Sequence, residues 1–175
     1  MKKAAFCFSV LLCLSALAVS VGCGNEVVRG YTGEQITSIN IFQQESDSFY
    51  APNGIALIRS AEEMEEFKGR CEEGHLLGEF VNASFEEKIG AYSSSFFAQG
   101  ELLVLFKDQP NPCYDSEVID ISAEEETVEI DVNIYPPRGG DACSDVMMQD
   151  IYFIELPKDF CGERSLHVNY RVVES

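Results

Sequence analysis

The chain has no tryptophan, only two histidines and few basic residues, and each shortage argues against a class of function. Twelve Lys and Arg stand against 30 Asp and Glu, a formal net charge of −18 that repels phosphate backbones, so we expect no nucleic-acid partner. Tryptophan forms the platform of many sugar-binding sites, and its absence argues against one. The sequence also has no C-x-x-C pair and no zinc-type histidine spacing, so we expect neither metal nor cofactor.

Long hydrophobic runs are absent too, except for one near the first residue. Two lysines precede residues 4–21, which carry no charge, and this order is typical of a secretory signal. Residues 20–23 read Ser-Val-Gly-Cys, which resembles the lipobox of bacterial lipoproteins, although Ser20 stands where Leu is usual. The resemblance implies that Cys23 becomes the lipidated first residue of the mature chain.

Two alternatives compete with this interpretation. Ordinary cleavage after residues 16–18 would release a secreted protein, and an uncleaved run of about 20 apolar residues could span a bilayer. Seven cysteines are present, and Cys7 and Cys13 lie within the run. If Cys23 is acylated, an even number remains, which is usual in secreted proteins. We therefore expect a lipid-anchored protein at the extracytoplasmic face of a bacterial cell membrane, with secretion as the alternative.

The domain organisation follows from this interpretation. Residues 1–22 are the lipoprotein signal peptide, residues 23–35 a short tether with Gly30 and Gly33, and residues 36–175 a single β-rich domain. Removing 22 residues from 175 leaves a mature chain of 153, a length that suits one domain with its own core.

The apolar pattern predicts strands of two kinds. Alternating residues predict half-buried strands, and continuous apolar runs predict central strands covered on both faces. The alternating stretches are residues 127–135 and 166–172, and the continuous ones are 102–106 and 151–156. Residues 117–122 are predicted to form another strand, and the weaker candidates are 36–42 and 53–59. Residues 123–126 separate residues 117–122 from residues 127–135, and we expect these two strands to form a hairpin.

One helix is well signalled. Ser60 and Glu63 form a capping box at its start, and a second helical turn is expected over residues 84–89. Three apolar residues then follow at helical spacing on one face: Met64, Phe67 and Cys71. The predicted fold is mainly β within the α+β class, an antiparallel β-sandwich or open barrel with one or two short helices.

Three stretches carry a family resemblance: residues 92–106 with a double-Phe turn before a strand, residues 110–121, and the Pro/Gly loop and strand of residues 136–157. Their order resembles small lipoproteins of Clostridia-like bacteria and, more distantly, the C-terminal domain of the PrcB family, named for a subunit of a protease complex. Where that family has Gly-Gly-Tyr, this chain has Pro112-Cys113-Tyr114. The resemblance implies a β-rich binding or accessory domain and carries over no catalytic residues.

The four remaining cysteines allow three disulfide connectivities. We favour Cys113–Cys143, because Cys113 precedes the first strand of the expected hairpin and the loop of residues 136–142 returns Cys143 to it. Cys71 is then left to pair with Cys161. A metal site is the rival interpretation, and no ligand spacing supports it.

The other polar candidates give no site by themselves. We expect His75 in a loop and His167 facing solvent, and the sequence pairs neither with a nucleophile. Asp141, Asp145 and Asp150 flank a glycine-rich loop, but no D-x-D-x-D-G pattern is present, so we predict no specific calcium site.

Aromatic residues precede and end the first continuous apolar run. Tyr92, Phe96 and Phe97 lie before it, and Phe106 is its last residue. They form either an exposed patch for a peptide or glycan or part of the core, and we favour the core.

The expected function is a non-enzymatic binding or accessory domain that contacts an envelope protein or peptide through a sheet edge or aromatic patch. A regulator of an extracytoplasmic protease is the alternative implied by the resemblance. A secreted hydrolase with two dispersed carboxylates is the less favoured alternative.

Overall fold

The computed structural model describes residues 35–42, 54–73, 83–139, 142–145 and 148–174. The signal peptide, Cys23, most of the tether, His75 and Asp141 lie outside these residues. The strands are β1 Ile36–Phe42, β2 Ile55–Ile58, β3 Gly100–Gln109, β4 Asp115–Ala123, β5 Thr127–Tyr135, β6 Met148–Pro157 and β7 Ser165–Val172. The helices are α1 Ala61–Glu73, α2 Ala83–Gly90 and α3 Ser94–Phe97.

The described elements form three layers. A four-stranded sheet of order β1-β6-β3-β2 lies between the helices and a three-stranded sheet of order β4-β5-β7. One apolar core fills the space between helices and sheet, and a second fills the space between the two sheets. The expected α+β sandwich is confirmed, and the sheets do not close into a barrel.

The two central strands serve both cores, which explains their continuous apolar sequence. On β3, Leu102 and Val104 pack on the helix side, while Leu103 and Leu105 pack between the sheets. Strand β6 alternates in the same way and pairs antiparallel with β3. The prediction that these strands are covered on both faces is confirmed, because successive side chains point to opposite faces of a sheet.

Helix α1 begins where the cap was predicted. The Glu63 N–H donates a hydrogen bond to Ser60 Oγ at 3.1 Å. The apolar face is buried at its three predicted positions, Met64, Phe67 and Cys71. Helix α2 confirms the second predicted turn and extends it slightly.

The β4–β5 hairpin is confirmed, but the last strand departs from the mainly antiparallel expectation. Strand β7 pairs parallel with β5, because β6 leaves for the other sheet before the chain returns. An alternating pattern shows which side chains of a strand face the core. It does not show which strand pairs with it, so the sequence could not distinguish parallel from antiparallel pairing.

The cysteine assignment is half right. Cys113 and Cys143 form a disulfide with Cα atoms 5.8 Å apart, as predicted. The predicted Cys71–Cys161 pair is wrong, since both residues are buried free thiols. Cys71 belongs to the helix-side core and Cys161 to the core between the sheets, so the four-stranded sheet separates them.

Candidate functional site

A polar cluster lies at one end of the core between the sheets. It consists of Gln109 on β3, Ser116 on β4, and Asp150 and Tyr152 on β6. Gln109 Nε2 donates to Ser116 Oγ at 2.8 Å and to Asp150 Oδ2 at 2.5 Å. Ser116 also donates to Asp150 Oδ2 and lies 2.7 Å from the Tyr152 hydroxyl. The cluster therefore joins three strands from both sheets.

Ser116 carries the aliphatic hydroxyl of this cluster, and its bonding argues against a role as nucleophile. Its hydroxyl donates one hydrogen bond to Asp150 and accepts one from Gln109, and the Tyr152 hydroxyl fills the remaining position. Burial raises the pKa of Tyr152 far above its ordinary 10.0, so this phenol stays protonated and is no base. These hydrogen bonds hold the two sheets together. No histidine contacts Ser116 in this cluster to activate its hydroxyl.

A second buried polar group lies at the start of β3, in the larger sheet. Glu101 is 0% exposed, and its Oε1 accepts a hydrogen bond from the Cys161 N–H at 2.5 Å. Its Oε2 lies 3.5 Å from Arg59 Nε, and the same guanidinium donates to the Gly162 carbonyl. The ion pair links the end of β2 to the start of β3, and hydrogen bonds of the same two side chains hold the loop before β7.

Neither free cysteine has the character of a reactive thiol. Burial raises the pKa of Cys71 to about 12. Burial, and then the nearby Glu101 carboxylate, raise the pKa of Cys161 well above its ordinary range. Reactive cysteines have lowered pKa values in electropositive, accessible surroundings, so both thiols are expected to be inert.

The remaining predicted polar residues are dispersed. His167 faces solvent as expected, and its Nδ1 lies 3.7 Å from Glu129 Oε1. Asp150 is buried within the polar cluster, while Asp145 is exposed. Across the residues that the structure describes, no group of three or more His, Cys, Asp and Glu is arranged to hold a metal ion.

The aromatic residues before β3 lie in the core, as predicted. Tyr92, Phe97 and Phe106 are buried and Phe96 is partly buried against them. The Tyr92 hydroxyl donates to Glu155 Oε1 at 3.1 Å, which satisfies its polar end. These residues offer no exposed platform for a ligand.

Two of the three exposed large hydrophobic side chains among the described residues lie on the outer strand β7. Tyr170 is 46% exposed and Val172 is 61% exposed, and both lie on this strand. Strand β7 is the last member of the order β4-β5-β7, so one of its edges has no pairing partner among the described strands. The sequence predicted that a sheet edge contacts a partner but did not identify the edge. The alternating residues 166–172 predicted this strand, and they gave no sign that it lies at the edge of a sheet.

Comparison with known proteins identifies no relative. No protein-family model, curated protein or solved structure matches this chain. The described helices include none that is long and apolar enough to cross a membrane.

Proposed function

We propose that this protein is a lipid-anchored, non-enzymatic binding or accessory domain at the extracytoplasmic face of a bacterial cell membrane. The observation that carries the proposal is the contrast between its interior and its edge. Ser116 is fully hydrogen-bonded and the thiols of Cys71 and Cys161 are buried with raised pKa values, whereas one edge of β7 has no partner among the described strands.

The anchor supports a function close to the membrane. If Cys23 carries the acyl chains, 12 residues separate it from Ile36, where β1 begins. A chain of that length spans at most about 40 Å when fully extended. The domain would then reach partners that lie on or near the same membrane. Because Lys2 and Lys3 leave with the signal peptide, the mature chain carries a net charge of −20, which repels anionic headgroups.

Metabolic labelling with palmitate tests the anchor. We expect label on the wild-type protein and none on Cys23→Ala, which should also leave the membrane fraction. A wild-type protein without label would remove the anchor from the proposal.

A hydrolase substrate panel tests the non-enzymatic part separately. We expect no turnover above background from the purified lipidated protein. Turnover that disappears on a single Asp or Glu substitution would overturn this part and restore the two-carboxylate hydrolase as the better explanation.

A further inference from the structure

The described residues hold one disulfide and two free thiols, and loop length alone favours a different pairing. Cys113 and Cys143 are bonded across 30 positions. A shorter loop is available, since Cys143 and Cys161 are only 18 positions apart. Because the entropy lost on closing a loop grows with its length, the unfolded chain forms the Cys143–Cys161 bond about twice as readily as the native one. The folded structure therefore supplies what selects Cys113 instead.

Strand β6 lies between Cys143 and Cys161 and holds them apart. The strand has ten residues, which corresponds to about 30 Å along its axis. Cys143 is five positions before its start, and Cys161 is four positions after its end. The two cysteines are near each other in sequence, and β6 places one at each of its ends.

The antiparallel pairing of β3 with β6 fixes both ends. It aligns the end of β3 with the start of β6, so Cys113 and Cys143 emerge at the same end of the sheet, with their Cα atoms 5.8 Å apart. At the opposite end, the Cys161 N–H donates to the carboxylate of Glu101, the second residue of β3. Pairing of these two strands thus brings Cys113 to Cys143 and keeps Cys161 away.

A bond between Cys143 and Cys161 is incompatible with β6. A disulfide needs Cα atoms within about 7 Å of each other. The flanking segments of five and four residues span together at most about 32 Å, so they close the bond only if both double back fully extended along the strand. Strands β1 and β3 pair with the two edges of β6, and apolar cores cover its two faces. This bond would therefore exclude a central strand of the larger sheet.

Oxidation of the unfolded chain leads to a second wrong bond. Once Cys143 and Cys161 are joined, Cys71 and Cys113 are left, 42 positions apart. We call the chain with both bonds the misoxidised form. It closes shorter loops than the native bond together with Cys71–Cys161, whose cysteines are 90 positions apart, and is favoured about threefold or more. A free Cys113 thiol can attack Cys143 and correct the first bond, but in the misoxidised form none of the four cysteines has a thiol for exchange.

The folded protein is protected from this outcome. Cys71 lies in the helix-side core and Cys161 in the core between the sheets, and both are 0% exposed. Burial also raises the pKa of Cys71 to about 12, so little thiolate is present to attack a disulfide. Among these four cysteines, an oxidant added after folding therefore reaches only Cys113 and Cys143, which are partly exposed.

We infer that pairing of β3 with β6 selects the native disulfide, and that a chain oxidised before this pairing is trapped in the misoxidised form. A protein that carries a pair of reactive thiols is the partner that releases it. The inference concerns maturation of the chain, so it is tested separately from the proposed function.

The release balances in atoms and electrons. One thiolate of the partner attacks Sγ of Cys71, forms a mixed disulfide and frees the Cys113 thiolate. The second partner thiolate attacks the partner's own sulfur in the mixed disulfide, so the partner leaves as a disulfide and Cys71 takes up a proton. The Cys113 thiolate then attacks Sγ of Cys143, forms the native bond and releases Cys161, which is protonated. The partner's two thiols are oxidised, and two thiols of this chain are restored.

Refolding of residues 23–175 with Cys23→Ala tests the inference. This substitution leaves four cysteines whether or not residue 23 is acylated in the cell. The chain is oxidised with excess diamide, either in urea or after refolding in its reduced form, and the bonds are mapped by peptide analysis without reduction. In urea we expect the misoxidised form to exceed chains with the native bond about threefold or more. After refolding we expect the native bond and two free thiols.

The misoxidised form is then diluted from urea with and without one equivalent of dithiothreitol, which serves as the dithiol probe. We expect the native bond and the native circular dichroism spectrum only with the dithiol. Cys71→Ala is the matched variant, because one thiol always remains for exchange, and it should refold without dithiothreitol. The double variant Cys71→Ala, Cys161→Ala can form only the native bond and should do the same.

Three results would overturn the inference. They are a predominant Cys113–Cys143 bond after oxidation in urea, a misoxidised form that reaches the native fold without dithiothreitol, and a misoxidised form obtained from the refolded reduced chain. Palmitate labelling and the turnover panel are read independently, so failure of the refolding experiment leaves the proposed function standing.

Discussion

The N–H of Cys161 donates a hydrogen bond to the carboxylate of Glu101 at 2.5 Å in a position with no exposure to solvent. The Arg59 guanidinium, 3.5 Å from the same carboxylate, is 40% exposed. The two members of this ion pair therefore differ in their access to water. That difference determines which of the two side chains can be replaced with the smaller loss of stability.

We predict that Arg59→Met destabilises the protein more than Glu101→Gln. Loss of Arg59 leaves a buried carboxylate uncompensated and should lower the free energy of unfolding by about 3–5 kcal/mol. Glu101→Gln keeps an acceptor for the Cys161 N–H, and Arg59 can turn to water, so that cost should be about 1–3 kcal/mol. Urea unfolding measures both. The reverse order would show that the ion pair does not control this site.

Titration of buried thiols and phenols predicts a loss of stability at alkaline pH. Burial raises the pKa of Cys71 from 9.0 to about 12 and holds that of Tyr92 well above 10.0. The unfolded chain then releases protons that the folded chain retains. This stability is present below about pH 9 and is lost as the pH rises through the folded-state values.

Urea unfolding between about pH 8 and pH 11 measures the effect. We expect the free energy of unfolding to fall progressively in this interval. Cys71→Ala should give a shallower slope, since one titrating group is absent. A free energy of unfolding that stays constant over the whole interval would contradict the prediction.

Thiol titration tests the cysteine assignment. If Cys23 is acylated as proposed, the folded protein should show no rapid reaction with Ellman's reagent. Unfolding without reductant should expose two thiols, Cys71 and Cys161, and reduction should add the two of the Cys113–Cys143 disulfide. If unfolding without reductant exposes none, the original pairing of Cys71 with Cys161 would be correct after all.

Two glycines should respond to alanine in opposite directions. Gly54 has φ +56°, and a Cβ there would lie 2.5 Å from the Phe106 carbonyl oxygen. Gly54→Ala should therefore cost about 2 kcal/mol or more. Gly69 lies within α1 with open space around it, so Gly69→Ala should stabilise by about 0.5–1 kcal/mol. Thermal unfolding compares them, and destabilisation by both would contradict the local argument.

Sequence patterns predicted the strands and the first helix because burial of one face requires apolar residues at the regular spacing of a strand or a helix. Ser60 marked the start of α1, and the uninterrupted run of residues 102–106 marked a strand covered on both sides. Helix α3 was missed because four residues are too few to show a helical period.

The polar side chains of the candidate site were less predictable, since their contacts depend on which strands and loops pack together in the folded chain. Glu101 borders an apolar run and lies buried because Arg59 and Cys161 come to it from distant parts of the chain. The pairing of Cys71 with Cys161 failed because it was reached by elimination and assumed that every cysteine was oxidised. The position of β7 at the edge of the smaller sheet follows from its parallel pairing with β5. The alternation of apolar residues in the sequence does not show that pairing.

The passage of the chain from β5 through β6 to β7 gives the fold an order of assembly. Until β6 has joined the larger sheet, the smaller one consists only of the β4–β5 hairpin, and an isolated hairpin is marginally stable in water. Strand β7 must close a long-range parallel contact with β5 across the whole of β6, which is slow. A chain that emerges in order from its first residue would therefore dock β7 last among the described strands.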